Sequence, residues 1–267
     1  MGNFVSDKSA ETLKALYNDR CSGLLIIADI KNSTSRKRTH KEEWRQQTKV
    51  IYDSFSEFTK LLEQVSGMDM IVRKFIGDGM MVFFKHIAMN EQHKLLPDIS
   101  EVAKKSLTML NEFVNEIHEL ETLKNLRLKT IMTYLTNITI IETLLGKDVL
   151  GRGIDFSFRL EKYADSYYVI TNESVFDALK NHSDTLNKDF IPIFKKLRGW
   201  DSLNGEKFYL VTNFEEIANG YSEMQPSIYE DNPKTELFKY FIRKTIKRSE
   251  TQEFDENILK EWKKDEN

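Results

Sequence analysis

Residues 24–28 read Leu-Leu-Ile-Ile-Ala, an unbroken apolar run opened by Gly23 and closed by Asp29. A short run with no polar alternation reads as a strand covered on both faces. Such a strand needs packed layers above and below it, which rules out a sheet with one wet face. It also ends on a carboxylate, which here either caps a turn or does chemistry.

The pattern downstream of Asp29 extends this frame. Trp44, Thr48, Ile51, Phe55, Phe58 and Leu62 recur at steps of three and four, the stripe of a long amphipathic helix. Asp69–Phe75 and Met80–Phe84 read as strands around Ile76-Gly77-Asp78-Gly79, a tight hairpin signal. A second helix is expected over about Val102–Leu120, with Leu107, Leu110, Val114 and Ile117 on one face. Leu126–Leu135 and Ile138–Leu144 are strand-like, Gly151–Gly153 is a break, and Ile154–Tyr163 reads as helix. Strands are expected again at Tyr167–Thr171, Phe190–Arg198 and Lys207–Thr212. The fold class is therefore α/β in the α+β sense, a ferredoxin-like βαββαβ core with extra strands and helices.

The domain expectation is a catalytic unit over residues 1–213 and a charged helical appendage over residues 214–267, preceded by a short opening helix at Ala10–Asn18. In the appendage, Leu237, Phe238, Phe241 and Ile246 give a helix-like pattern before a frayed charged tail. With 267 residues, 40% of them hydrophobic and 11% aromatic, the chain can bury a sizeable core.

A net charge of −3 supplies no basic field for nucleic acid. Cys21 is the only cysteine, so neither an internal disulfide nor a multi-cysteine metal site can form, which fits a reducing, cytoplasmic setting. Met1–Lys14 has no apolar core of a secretory signal, and the runs at Leu24–Ala28 and Met80–Phe84 are too short to span a bilayer. No membrane partner is expected. Met1-Gly2-Asn3-Phe4-Val5-Ser6 fits the N-myristoylation pattern, which is short enough to occur by chance.

Two carboxylates carry the chemistry. Asp29 ends the buried strand and Asp78 sits at the hairpin tip; in a ferredoxin-like sheet these are neighbours. Alone, Asp29 reads as a turn cap and Asp78 as a hairpin residue. Together they offer hard oxygen ligands at one point, which suits two divalent ions, Mg²⁺ or Mn²⁺, with bound phosphate. The turn at Lys31-Asn32-Ser33-Thr34 lies ahead of a helix and offers backbone N–H groups as a phosphate cradle.

These residues resemble the class III adenylyl and guanylyl cyclases. Ala28-Asp29-Ile30-Lys31-Asn32-Ser33-Thr34 is similar to the family's first metal motif, and Lys74-Phe75-Ile76-Gly77-Asp78-Gly79 to the second. Asp148-Val149-Leu150-Gly151-Arg152-Gly153-Ile154-Asp155 through Arg159-Leu160 resembles the family's Asp-x-x-Gly, Val-Asn and Arg-Leu segment. A weaker match is Leu197-Arg198-Gly199 ahead of Phe208-Tyr209-Leu210, so the resemblance spans about residues 23–212.

The resemblance implies metal ligation by Asp29, Asp78 and the Ile30 carbonyl. It implies base reading by Lys74 and Asp148, transition-state stabilisation by Arg159 and triphosphate contact by Arg198. Read from the residues alone, Arg159 is a surface ion pair, and Lys74 and Asp148 are solvated charges. The family's ribose-orienting Asn is here Asp155, which cannot donate a hydrogen bond when ionised. The resemblance also implies a homodimer whose composite sites draw on both subunits.

The activity implied is closure of a nucleoside triphosphate into a 3′,5′-cyclic nucleotide. Asp155 and the stand-alone architecture, with no receptor, GAF, PAS or membrane module, resemble the bacterial Pycsar pyrimidine cyclases. In that reading UTP, or less readily CTP, becomes a cyclic nucleotide that a separate effector reads in antiphage defence. The alternatives are an adenylate cyclase, favoured by Lys74 and Asp148, and a degenerate cyclase-fold binding module, favoured only by Asp155. A diguanylate cyclase or polymerase palm would want a Gly-Gly-Asp/Glu hairpin and leaves residues 148–160 without a role.

Overall fold

A computed structural model describes residues 20–212 apart from residues 32, 34–36, 39–40, 89–97, 121–122, 124–125, 145, 165, 167, 183–185, 187 and 196–205. The expected opening helix at 10–18 and the appendage at 214–267 lie outside the described residues, as do Asn32, Thr34 and Arg198.

The order is β1 (Arg20–Ile30), α1 (Lys41–Ser66), β2 (Asp69–Ile76), β3 (Gly79–Ala88), α2 (Ile99–Glu119) and β4 (Leu128–Thr143). Then come β5 (Gly146–Leu150), α3 (Arg152–Leu160), β6 (Val169–Thr171), α4 (Glu173–Leu179), β7 (Asp189–Lys195) and β8 (Glu206–Thr212). The sheet runs β2-β3-β1-β4-β6-β8-β7, with β5 paired to β4. Its first four strands are the ferredoxin-like arrangement, with β1 central and antiparallel to both β3 and β4. Among the described strands, only the β4–β6 pairing is parallel.

The apolar run behaves as its composition requires. Leu24, Ile26, Ala28 and Ile30 face one core with Ile51, Phe55 and Leu62 of α1 and Leu107 and Leu110 of α2. Leu25 and Ile27 face the other core, against Ile154, Phe156 and Leu160 of α3. Each fully buried Leu or Ile here contributes roughly 1.5–3 kcal/mol. That burial anchors β1, and with it the position of Asp29.

Three differences from the sequence reading have physical causes. The two strands expected at Leu126–Leu135 and Ile138–Leu144 are one 16-residue strand. It is interrupted by Asn137 at φ 58°, where the register against β1 slips between Cys21 and Gly23. Asn tolerates that left-handed conformation, and its polarity breaks the apolar pattern without ending the strand. Strand β5 has a mostly exposed five-residue run, so no alternation marks it. Helix α4 has seven residues, too few for a periodic stripe, and is started by Asn172, whose side chain accepts from the Val175 N–H.

Candidate active site

Register brings the first two carboxylates together. Asp29 pairs with Gly79 across β1–β3, and Asp78 is the residue before Gly79 at the hairpin tip. The turn is the two-residue kind that needs Gly at its first position, and Gly77 takes φ 67° there. Tyr52 of α1 holds the turn from outside, its hydroxyl donating to the Gly77 carbonyl. Gly79 lies against the acid: a Cβ there would stand 3.3 Å from the Ile76 carbonyl and 3.6 Å from Asp29 Oδ1.

Each carboxylate already holds a cation of the chain. Lys129 of β4 lies directly across from Asp29, and its ammonium is 2.5 Å from Asp29 Oδ2 and 3.3 Å from Glu161 Oε1. Burial pushes the Asp29 carboxyl above its ordinary value, against the pull of Lys129, and the Asp78 charge adds to the rise. Lys129 is held above its ordinary value, because Asp29 and Glu161 outweigh its own burial. Asp78 Oδ1 accepts from the Lys37 ammonium at 2.7 Å, and Oδ2 accepts from the buried Ser33 hydroxyl. Burial alone would raise Asp78, but these two donors hold it below its ordinary value.

The donor set fits hard divalent cations. Two carboxylates converge beside Gly79, and each has drawn a positive charge onto itself. Among the described residues no group of three or more His, Cys, Asp or Glu converges to hold a metal. Ions bound by Asp29 and Asp78 would therefore complete their shells with other oxygens, as ions that carry phosphate do.

Two further ion pairs involve the other candidate residues, one between β2 and β5 and one within α3. The Lys74 ammonium and Asp148 Oδ2 meet at 2.5 Å, although 74 positions separate them in sequence. Burial would raise the Asp148 carboxyl, but Lys74 and the Val149 N–H hold it below its ordinary value. Phe75, the next residue of β2, faces the other side of the sheet and stacks on Tyr52 of α1 with ring centroids 4.2 Å apart. On α3, Arg159 Nε donates to Asp155 Oδ2 at 2.9 Å, one helical turn apart.

The structure thus bonds Ser33 to Asp78 with Asp29 next to that hairpin in register, and it joins Lys74 with Asp148 and Asp155 with Arg159 as separate pairs. Ile30 is buried in β1 beside Asp29, in register with Leu128. Sequence reasoning missed Lys37, Lys129 and Glu161. The sequence marks Lys129 only as the one cationic residue of β4, which does not give its register with Asp29.

No family model matches the chain, and no curated protein matches it by sequence. Solved structures do match in shape. The adenylyl cyclase CyaB from P. aeruginosa is 14% identical over 72% of this chain and 94% of that chain, with a TM-score of 0.55. The fold is that of a class III cyclase catalytic domain. The adenylate cyclases of Trypanosoma brucei, solved in their monomeric state, are 14% identical over 71% of this chain and 89% of theirs, with a TM-score of 0.53. The guanylate cyclase domain of RhGC from Catenaria anguillulae, in complex with GTP, gives 15%, 72%, 96% and 0.52. Among the described residues of this cyclase-fold chain, no helix is long and apolar enough to cross a membrane.

Proposed function

We propose that this chain is a nucleotidyl cyclase, converting a nucleoside triphosphate to a 3′,5′-cyclic nucleotide and diphosphate. The observation that carries the reading is the convergence of Asp29 and Asp78 at the end of a strand buried on both faces. Asp29 and Asp78, with the Ile30 carbonyl, hold two divalent ions, Mg²⁺ or Mn²⁺. When bound, these ions lower the negative charge on the phosphoryl oxygens. Ser33, with Asn32, Thr34 and Arg198 outside the described residues, binds the triphosphate. Arg159 stabilises charge developing on the transferred phosphoryl group, and Asp155 orients it through their hydrogen bond.

Lys74 and Asp148 read the base, the first as donor and the second as acceptor. UTP is the preferred substrate, ahead of CTP. The support is the departure at Asp155 together with the resemblance to the Pycsar cyclases, which act on pyrimidine nucleotides. The Lys74–Asp148 pair also supports a second reading, ATP to cyclic AMP, because a donor and an acceptor together match the adenine edge.

The active form is a homodimer with composite sites. Phe75, Ile76, Leu144 and Leu150 are exposed apolar residues on β2 and the β4–β5 hairpin, the elements that carry Lys74 and Asp148. The protein acts in the cytoplasm, and its product is read by a separate effector in antiphage defence, the role the Pycsar resemblance brings. Neither nucleic acid nor a membrane is a partner.

Equimolar ATP, GTP, CTP and UTP with Mn²⁺, followed by mass spectrometry, tests the reading. Cyclic UMP as the main product supports it, and dominant cyclic AMP moves it to the adenylate alternative. No cyclic product from any nucleotide leaves a cyclase-fold binding module.

A further inference from the structure

The cyclase resemblance gives Lys37 no role, yet its ammonium stands 2.7 Å from Asp78 Oδ1. The buried Ser33 hydroxyl takes the other oxygen, so both Asp78 oxygens are engaged by the chain itself. The lysine is not locked in place: its side chain is 40% exposed. Its ammonium also lies 5.4 Å from the centre of the Trp44 ring, within reach of a second, weaker cation partner at the start of α1.

We infer that Lys37 is a displaceable cation of this site. In the free protein it occupies Asp78 in place of a divalent ion, and on loading it turns to the polyphosphate that the ion brings. The inference rests on the cyclase reading for the identity of that polyphosphate. An ammonium and a divalent ion cannot share one carboxylate oxygen without strong like-charge repulsion. The ion must therefore expel Lys37, and metal binding without nucleotide is weakened. A triphosphate beside the ion supplies new negative charge within the swing of a flexible four-carbon stem. Metal and triphosphate then bind with positive coupling, and Lys37 carries part of that coupling.

The test uses Mn²⁺ alone, followed by electron paramagnetic resonance, and then inorganic triphosphate titrated at saturating Mn²⁺. Without triphosphate, Lys37→Ala is expected to bind Mn²⁺ about tenfold more tightly than the wild type, because one like charge beside the ion has gone. With Mn²⁺ present, the same variant is expected to bind triphosphate about tenfold more weakly. Lys37→Arg keeps the charge and retains triphosphate binding. Asp78→Ala loses the tight Mn²⁺ site. Unchanged or weaker Mn²⁺ binding by Lys37→Ala overturns the displacement, and unchanged triphosphate binding overturns the hand-over. These measurements need no turnover. If they come out as expected but no cyclic nucleotide forms, the cyclase reading fails while the role of Lys37 stands.

Discussion

Asp29 and Lys129 face each other across the β1–β4 register and close an ion pair of 2.5 Å in which each side chain is about 15% exposed or less. Such a pair holds its charge in place but leaves each partner costly to strand. Lys129→Ala should therefore lower stability by about 1–3 kcal/mol, with Asp29 left largely buried and uncompensated. The double variant Asp29→Asn with Lys129→Met should recover most of that loss, because neither charge remains. Thermal melts of the single and double variants check this. Equal melting temperatures for Lys129→Ala and the wild type contradict it.

His118 near the end of α2 gives a pH signature independent of the site. Its Nε2 accepts from the Leu128 N–H, so the ring is neutral in the folded chain. Burial, with the Arg127 charge, lowers its pKa from 6.5 to about 4. The unfolded chain thus takes up the proton first as pH falls. Stability is full above 6.5 and declines as pH drops toward about 4. Discounted for partial exposure, the loss is roughly 2 kcal/mol. Denaturant unfolding at pH 7.5 and pH 5 should show this decline, and His118→Gln should flatten it. An equally steep decline in the variant assigns it elsewhere.

Much of this structure was legible because the strongest signals were local. The apolar run at 24–28 fixed β1, the Gly77-Asp78 turn fixed the hairpin, and the stripe through Trp44, Ile51 and Phe55 fixed α1. Asp29 and Asp78 follow from those elements, because their convergence is a matter of which strands neighbour β1. Lys37, Lys129 and Glu161 escaped because their importance lies in register and reach. Nothing in a sequence of lysines and glutamates says which one lands across from Asp29. Strand β5 escaped because Lys147 and Asp148 replace the alternation that marks a strand.

Composite sites make complementation a direct test of assembly. Asp29→Ala removes the metal half of a site and Arg159→Ala removes the phosphoryl half. Mixed together, the two inactive variants should regain about a quarter of wild-type activity if subunits exchange freely, since half the dimers are hybrids with one intact site of two. Sedimentation of the mixture checks that dimers form. An active enzyme that sediments only as a monomer contradicts the composite arrangement.

Base choice should depend on the Lys74–Asp148 pair. Lys74 and Asp148 meet at 2.5 Å and each side chain is about a third exposed, so either can be replaced without emptying the core. Lys74→Met removes the donor that reads the base and should raise the ATP-to-UTP ratio of kcat/KM by about tenfold, by weakening the preference for UTP. Competition among equimolar nucleotides reads the ratio. An unchanged ratio means that this pair does not select the base.

The central claim is that Asp29 and Asp78 form the catalytic metal pair of a nucleotidyl cyclase. Its most direct measurement is cyclic nucleotide formation with Mn²⁺ by the wild type, Asp29→Ala and Asp78→Ala, with circular dichroism confirming that all three fold. The wild type is expected to produce a cyclic nucleotide, and each variant to lose at least about a hundredfold in rate with its fold retained. Undiminished product from either folded variant would contradict the assignment.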